Sequence, residues 1–101
     1  MKQFLLKFSP VYKFIIFGDS MSPILCDGQF VLVNRLSYFL TKPKVGDIVA
    51  FRDPRNKKIL IKRITDFKNG KYFVSGDNKK HSTDSRNFGM IARREIVGKV
   101  F

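Results

Sequence analysis

The chain has 101 residues, 44% of them hydrophobic and 28% charged. That is the size of one domain and is apolar enough for a real core, which excludes a disordered chain. Lys and Arg number 20 against 8 Asp and Glu, a net charge of +12. Such a field attracts nucleic acid, anionic lipid headgroups or acidic proteins, unless the lysines simply solvate the surface. Cys26 and His81 are the single cysteine and histidine, so no internal disulfide and no Cys/His zinc site can be assembled, and no cofactor is expected. His81, in the polar run "KKHST", reads as solvated.

In chain order, "MKQFLLKFSPVYKFIIF" is apolar but broken by Lys2, Lys7, Pro10 and Lys13. It falls short of the roughly 20 apolar residues of a membrane-spanning helix, and it lacks the small-residue cleavage site of a secretory leader. Its β-branched and aromatic content predicts a first core strand with a lead-in, and residues 1–13 are a lead-in or a membrane-proximal interfacial segment. "KFIIF" reads as a strand ending at Gly18, and "QFVLVN" as a second strand entered through Asp27-Gly28. "RLSYFL" is a brief helix or an irregular loop. "DIVAFRD" and "KILIKRITDF" are strands, and "KNGK" is a tight hairpin because Asn-Gly tolerates positive φ. "KYFVSG" returns, the long polar stretch "DNKKHSTDSRNFG" follows, and "EIVGKVF" closes the chain. Short strands at close spacing, with no helix of about ten residues or more carrying an apolar stripe, predict a mainly β fold. The expected form is a compact coiled sheet or barrel-like domain with little helix, a single unit over residues 1–101.

Three places can carry chemistry. In "KILIKRITDF" side chains alternate, so Leu60, Lys62 and Ile64 share one face and Ile59, Ile61, Arg63 and Thr65 the other. A lysine between Leu60 and Ile64 is desolvated, which lowers its pKa and allows it to act as a neutral base, unless it snorkels to the sheet rim. In "FGDSMSPILCDG", Ser20 follows a flexible Gly18 and precedes Met21 and Pro23, which suits a strand end presenting a hydroxyl to a groove. An ordinary turn has the same composition. A serine needs a base, and a Ser-Lys pair uses no histidine. The polar stretch is unusually long for so small a domain. It carries Asp77, Ser82, Asp84, Ser85 and Arg86; Asp84 and Arg86 can pair, and Ser82 or Ser85 can aim the Lys62 amine.

Together "GDSMSPIL", "ILIKRI" and "GDNKKHSTDSRNFG", in that order, resemble the three blocks of the type I signal peptidase family, serine proteases with a Ser-Lys dyad. The resemblance runs from Phe17 to Val100. It implies a mainly β fold, Ser20 as nucleophile and Lys62 as general base. Ser82 would orient the lysine, and Asp84, Arg86 and Arg63 would form a supporting ion-pair network. Ile16, Phe17, Met21 and Ile61 would line the groove. It also implies an extended pre-protein or propeptide substrate cut after a small residue, and association with an anionic membrane surface. Two departures stand out. Gly18 occupies a place where some members carry a serine that helps the oxyanion, and the span from Lys62 to Gly76 has no room for a second β-domain. The compact layout is similar to the branch of the nickel-type superoxide dismutase maturation proteases and mitochondrial inner-membrane proteases, so a cytoplasmic propeptide is an alternative substrate. A basic β module that binds nucleic acid or membrane without catalysis would explain the charge but leaves the three blocks unexplained.

Overall fold

Short apolar runs bounded by turn residues make this chain a sheet, and alternate side chains on its two faces feed two cores. The computed structural model describes residues 10–101. Its strands are β1 (Val11–Ile15), β2 (Phe30–Asn34), β3 (Ile48–Arg52), β4 (Ile59–Lys68), β5 (Lys71–Ser75), β6 (Ile91–Ala92) and β7 (Ile96–Val100). They form one seven-stranded sheet in the order β1-β2-β7-β3-β4-β5-β6, every neighbouring pair antiparallel. The sheet curls into a half-barrel. The longest helix of the described residues is the four-residue α1 (Ser85–Phe88), and no helix among those residues is long and apolar enough to cross a membrane.

One core gathers Ile16, Met21, Leu25, Val31, Val33, Ala50, Ile61 and Val100. The other gathers Tyr38, Val49, Phe51, Ile64, Tyr72, Val74, Ile91 and Ile96, with Leu60 packed against it. Leu60 and Ile64 therefore face one core and Ile61 the other, as the alternation in β4 requires. In β7, Ile96 and Val100 have the same parity yet enter different cores. The reason is a bulge against β3: Ala50 pairs with Gly98 and Phe51 with Ile96, so Val97 is an extra residue that reverses the face. A second bulge, at Thr65 in β4, shifts the register with β5. The Asn69-Gly70 turn has φ of 52° and 78°, the left-handed pair that a two-residue hairpin needs.

Most strands lie where the sequence places them. β1 differs: its pairing ends at Ile15 opposite Phe30, and it lies at the outer edge of the sheet rather than in the core. Ile16 alone of this segment is buried, while Gly18 turns the chain away at φ 80°. The lead-in expected over residues 1–9 lies outside the described residues. "RLSYFL" is a chain of turns, and the polar stretch holds a 3-10 turn (Lys79–His81) as well as α1.

One feature of the topology positions the site. β4 pairs with β3 over Ile59–Arg63, but its pairing with β5 begins only at Arg63 opposite Ser75. On that side the backbone of Ile59, Leu60, Ile61 and Lys62 is an open strand edge among the described residues, next to the loop that carries Ser20.

Candidate active site

Ser20 is held by a closed loop. Ile16 N–H donates to Gln29 O (2.8 Å) and Gly28 N–H to Ile16 O (2.8 Å), which pins the loop at its base. Asp27 Oδ1 accepts from Gly18 N–H at 2.7 Å. Within the loop, Leu25 N–H donates to Met21 O at 2.9 Å, and the Met21 and Leu25 side chains are buried in the first core. The Ser22–Pro23 peptide is cis. Ser20 is thus held half-buried on an anchored turn, and its own N–H has no acceptor among the described residues.

Lys62 is 5% exposed and donates from Nζ to Ser20 Oγ at 2.7 Å, across 42 residues of sequence. No carboxylate lies within ion-pair distance of it among the described residues. Burial pushes its pKa down, and the Asp84 charge opposes this only in part. Desolvation dominates because an ammonium loses its hydration shell and gains only one neutral hydroxyl in return. The sheet rim that would have let it snorkel is closed by the Ser20 loop.

The "SGDN" and "HSTDSR" segments bind this pair from behind. Asn78 N–H donates to Ser20 O at 2.8 Å. Gly76 N–H donates to Ser82 Oγ and to Asp84 Oδ2, both at 3.2 Å, and Ser82 Oγ donates to Asp84 Oδ2 at 3.0 Å. A Cβ at Gly76 would overlap the Ser82 side chain and lie 2.6 Å from Ser20 O, so glycine is required by close approach. Asp84 is fully buried. It caps α1 by accepting from Arg86 N–H and takes the Arg86 guanidinium through Nε at 2.9 Å and Nη2 at 3.1 Å. Burial alone would raise its pKa, but the Arg86 side chain, the Arg86 and Gly76 amides and the Ser82 hydroxyl together lower it to about 2.

The structure brings Ser20 and Lys62 together, with Ser82, Asp84 and Arg86 in one hydrogen-bonded cluster beside them. Ser82 is bonded to Gly76 and Asp84, and its hydrogen bonds do not extend to Lys62. Its second lone pair is left to accept. Ser85, the other serine considered for aiming the amine, instead accepts from Val74 N–H at 2.9 Å and ties α1 to β5. The single ion-pair network expected of Asp84, Arg86 and Arg63 is in fact two pairs. Arg63 forks onto Asp77 at 2.9 Å through both Nε and Nη2, because the β4–β5 register sets Arg63 opposite Ser75, two residues before Asp77.

A groove runs past the pair. Ile16, Met21 and Ile61, all buried, form part of its lining, and Phe17 stands 81% exposed beside it. Phe14, Ile59 and Leu60 complete the lining. Sequence reasoning gave these three no place there, although Leu60 and Ile59 flank the lysine block. On the other side of Ser20 a polar cleft includes Asp19, Arg55, Lys58, His81 and Thr83. His81 is exposed, with Nδ1 3.9 Å from Asp19 Oδ2.

The site is thus a buried lysine, with no carboxylate at ion-pair distance among the described residues, set against a serine hydroxyl beside an open strand edge of a curled antiparallel half-barrel. The family described as "Signal peptidase, peptidase S26" matches residues 3–67 and 65–101, and the chain belongs to it. The chain is similar to the mitochondrial ATP-independent inner membrane protease subunit 1b of Arabidopsis thaliana, 34% identical over 108 residues, covering 83% of this chain and 64% of that relative. It is also similar to signal peptidase I V of Bacillus subtilis, 29% identical over 134 residues, covering 82% and 79% of the two chains. To signal peptidase I of Aquifex aeolicus it is 50% identical over 46 residues, 45% of this chain and 18% of that one. The chain thus spans just under two thirds of the Arabidopsis relative's length.

Proposed function

We propose that this protein is a serine endopeptidase with a Ser20–Lys62 dyad that removes an N-terminal leader or propeptide by cutting after a small residue. The observation that carries the reading is the 2.7 Å contact between Lys62 Nζ and Ser20 Oγ, with the amine buried and its pKa lowered. The neutral amine takes the Ser20 proton as Oγ attacks the scissile carbonyl carbon. The Ser20 N–H, which lacks an acceptor among the described residues, is free to donate to the oxyanion. Gly18 brings no hydroxyl to help it, so the remaining donors are backbone or substrate-induced. The Lys62 ammonium then protonates the leaving amine as the C–N bond breaks. A water, deprotonated by the same amine, hydrolyses the acyl ester and returns Ser20 to its hydroxyl form.

Substrate placement follows from the open edge. An extended segment can pair with the backbone of Ile59, Leu60, Ile61 and Lys62, a strand-addition mode in which main-chain hydrogen bonds supply affinity and pockets on alternate residues supply selectivity. The groove beside Ser20 is lined by the buried Met21, Ile16 and Ile61, an apolar lining that suits a small uncharged side chain before the cut bond. Membrane association is supported by the inner-membrane name of the Arabidopsis relatives. The experiment is cleavage of a peptide library with small residues ahead of varied sites. Wild type cuts after Ala, Gly or Ser, and Ser20→Ala does not. Cleavage that persists in Ser20→Ala would overturn the assignment.

A further inference from the structure

The open edge of β4 has two sides of unlike polarity. Ile59 and Ile61 belong to the apolar groove, and Ile61 lies in the first core. Leu60 and Lys62, on the opposite face, also border the polar cleft, and Leu60 packs on the second core. Successive side chains of a strand point to opposite faces. An extended substrate laid on this edge therefore sends alternate side chains to the groove and to the cleft.

The cleft is cationic where it passes the start of β4. Lys58 has the parity of Leu60 and Lys62, is exposed, and makes no ion pair among the described residues. Its backbone is fixed, because Lys58 N–H donates to Asn56 Oδ1 at 2.9 Å and Lys58 O accepts from Asp53 N–H at 2.8 Å. Arg55 lines the same cleft. Its guanidinium is held on Asp53 through Nε at 3.1 Å and Nη2 at 2.8 Å, and lies 5.3 Å from the centre of the Phe88 ring. Its Nη1 has no acceptor among the described residues and is left to donate. Of the two carboxylates in the cleft, Asp53 is buried and taken up by Arg55. Asp19 lies next to Ser20, with Oδ2 3.9 Å from His81 Nδ1. The unmatched charge near the start of β4 is Lys58, with a pre-positioned guanidinium in the same cleft.

We propose that Lys58 and Arg55 select an acidic side chain at the second or fourth residue before the cut bond. The residue just before that bond enters the apolar groove, so alternation sends the second and fourth to the cleft and the third back to the groove. Lys58 precedes Lys62 by four residues, about 13 Å of strand, which sets the fourth position level with it. A carboxylate there accepts from Lys58 Nζ and Arg55 Nη1 in charge-assisted hydrogen bonds. The inference rests on the peptidase reading and on strand addition, and it names a substrate feature that the apolar groove does not read.

The test uses peptides with Ala before the cut bond and Glu, Gln or Lys placed in turn at the second, third and fourth positions before it. At the second or fourth position kcat/KM should favour Glu over Lys by about fivefold or more, with Gln between, and the preference should shrink in high salt. At the third position Glu should bring no gain. Lys58→Glu should reverse the order of Glu and Lys, with the thermal transition at its wild-type value. Loss of Arg55 alone would strand the buried Asp53 charge, so the pair is removed together as Asp53→Asn with Arg55→Gln, which should lower the Glu preference. Binding of the same peptides to Ser20→Ala, followed by fluorescence anisotropy, reads the cleft without turnover. A Glu preference there without cleavage by wild type would sink the peptidase reading and leave the cleft assignment standing. Cleavage with equal rates for Glu, Gln and Lys at both positions, an unchanged order in Lys58→Glu, or a Glu gain at the third position would overturn the proposal.

Discussion

Replacing Asp84 with Asn tests whether the buried carboxylate holds the polar stretch against the dyad. The carboxyl titrates at about 2 in the folded protein, against about 3.9 in an unfolded chain. Nearly two units of depression correspond to on the order of 2 kcal/mol of folding stability at neutral pH. The sign follows from the depression. Above the unfolded value, the stabilisation is complete, because both states are ionised and the folded one is favoured. As pH falls from about 4 to 2 the unfolded chain takes up the proton first, and the stabilisation is lost. Arg86 is half open to water, which screens that pair and keeps the figure modest. The Gly76 amide and Ser82 hydroxyl depend on Asp84 without that escape. Urea denaturation of wild type and Asp84→Asn at pH 7 and at pH 2 measures the effect. The difference should be about 2 kcal/mol or somewhat more at pH 7 and should shrink markedly at pH 2. A variant within about 0.5 kcal/mol of wild type at pH 7, or a difference independent of pH, would refute the account of Asp84.

Gly76→Ala should destabilise the fold by about 1–3 kcal/mol, as expected for overpacking, and should depress turnover more than stability, because the added methyl presses on both Ser82 and the Ser20 carbonyl; thermal melts and steady-state kinetics check the two effects separately. Ser82→Ala should lower kcat with little change in KM and a shift in the pH profile, since the hydroxyl bonds Asp84, whose charge acts on the Lys62 amine; an unchanged pH profile would make its role purely structural.

The strands were legible because each is a short apolar run set off by turn residues, and the Asn69-Gly70 turn because its residue types match the required φ. What was not legible depends on register. No residue type marks Val97 or Thr65 as an extra residue, yet the first sends Ile96 into the other core. The second fixes where β4 and β5 meet, and with it the partner of Arg63. A sequence shows that Arg63 wants a carboxylate, but Asp77 and Asp84 are equally plausible until the pairing is known. The location of Lys62 beside Ser20 came from three blocks in order, and alternation alone supplied only its desolvation. Phe14 entered the groove unforeseen because β1 is an edge strand, and Ile59 and Leu60 because β5 pairs with β4 only from Arg63 onward, both properties of topology rather than of apolar composition.

The central claim is that Lys62 acts as a neutral base on Ser20. The direct measurement is kcat/KM against pH for cleavage of an optimal peptide, in wild type and Lys62→Arg. Wild type should gain activity as pH rises, with an apparent midpoint well below the ~10.4 of a solvated lysine, because burial lowers the amine's pKa. Lys62→Arg should be inactive at every pH while remaining folded, since a guanidinium does not deprotonate in this range. An active Lys62→Arg, or a wild-type profile that is flat through neutrality, would contradict the dyad.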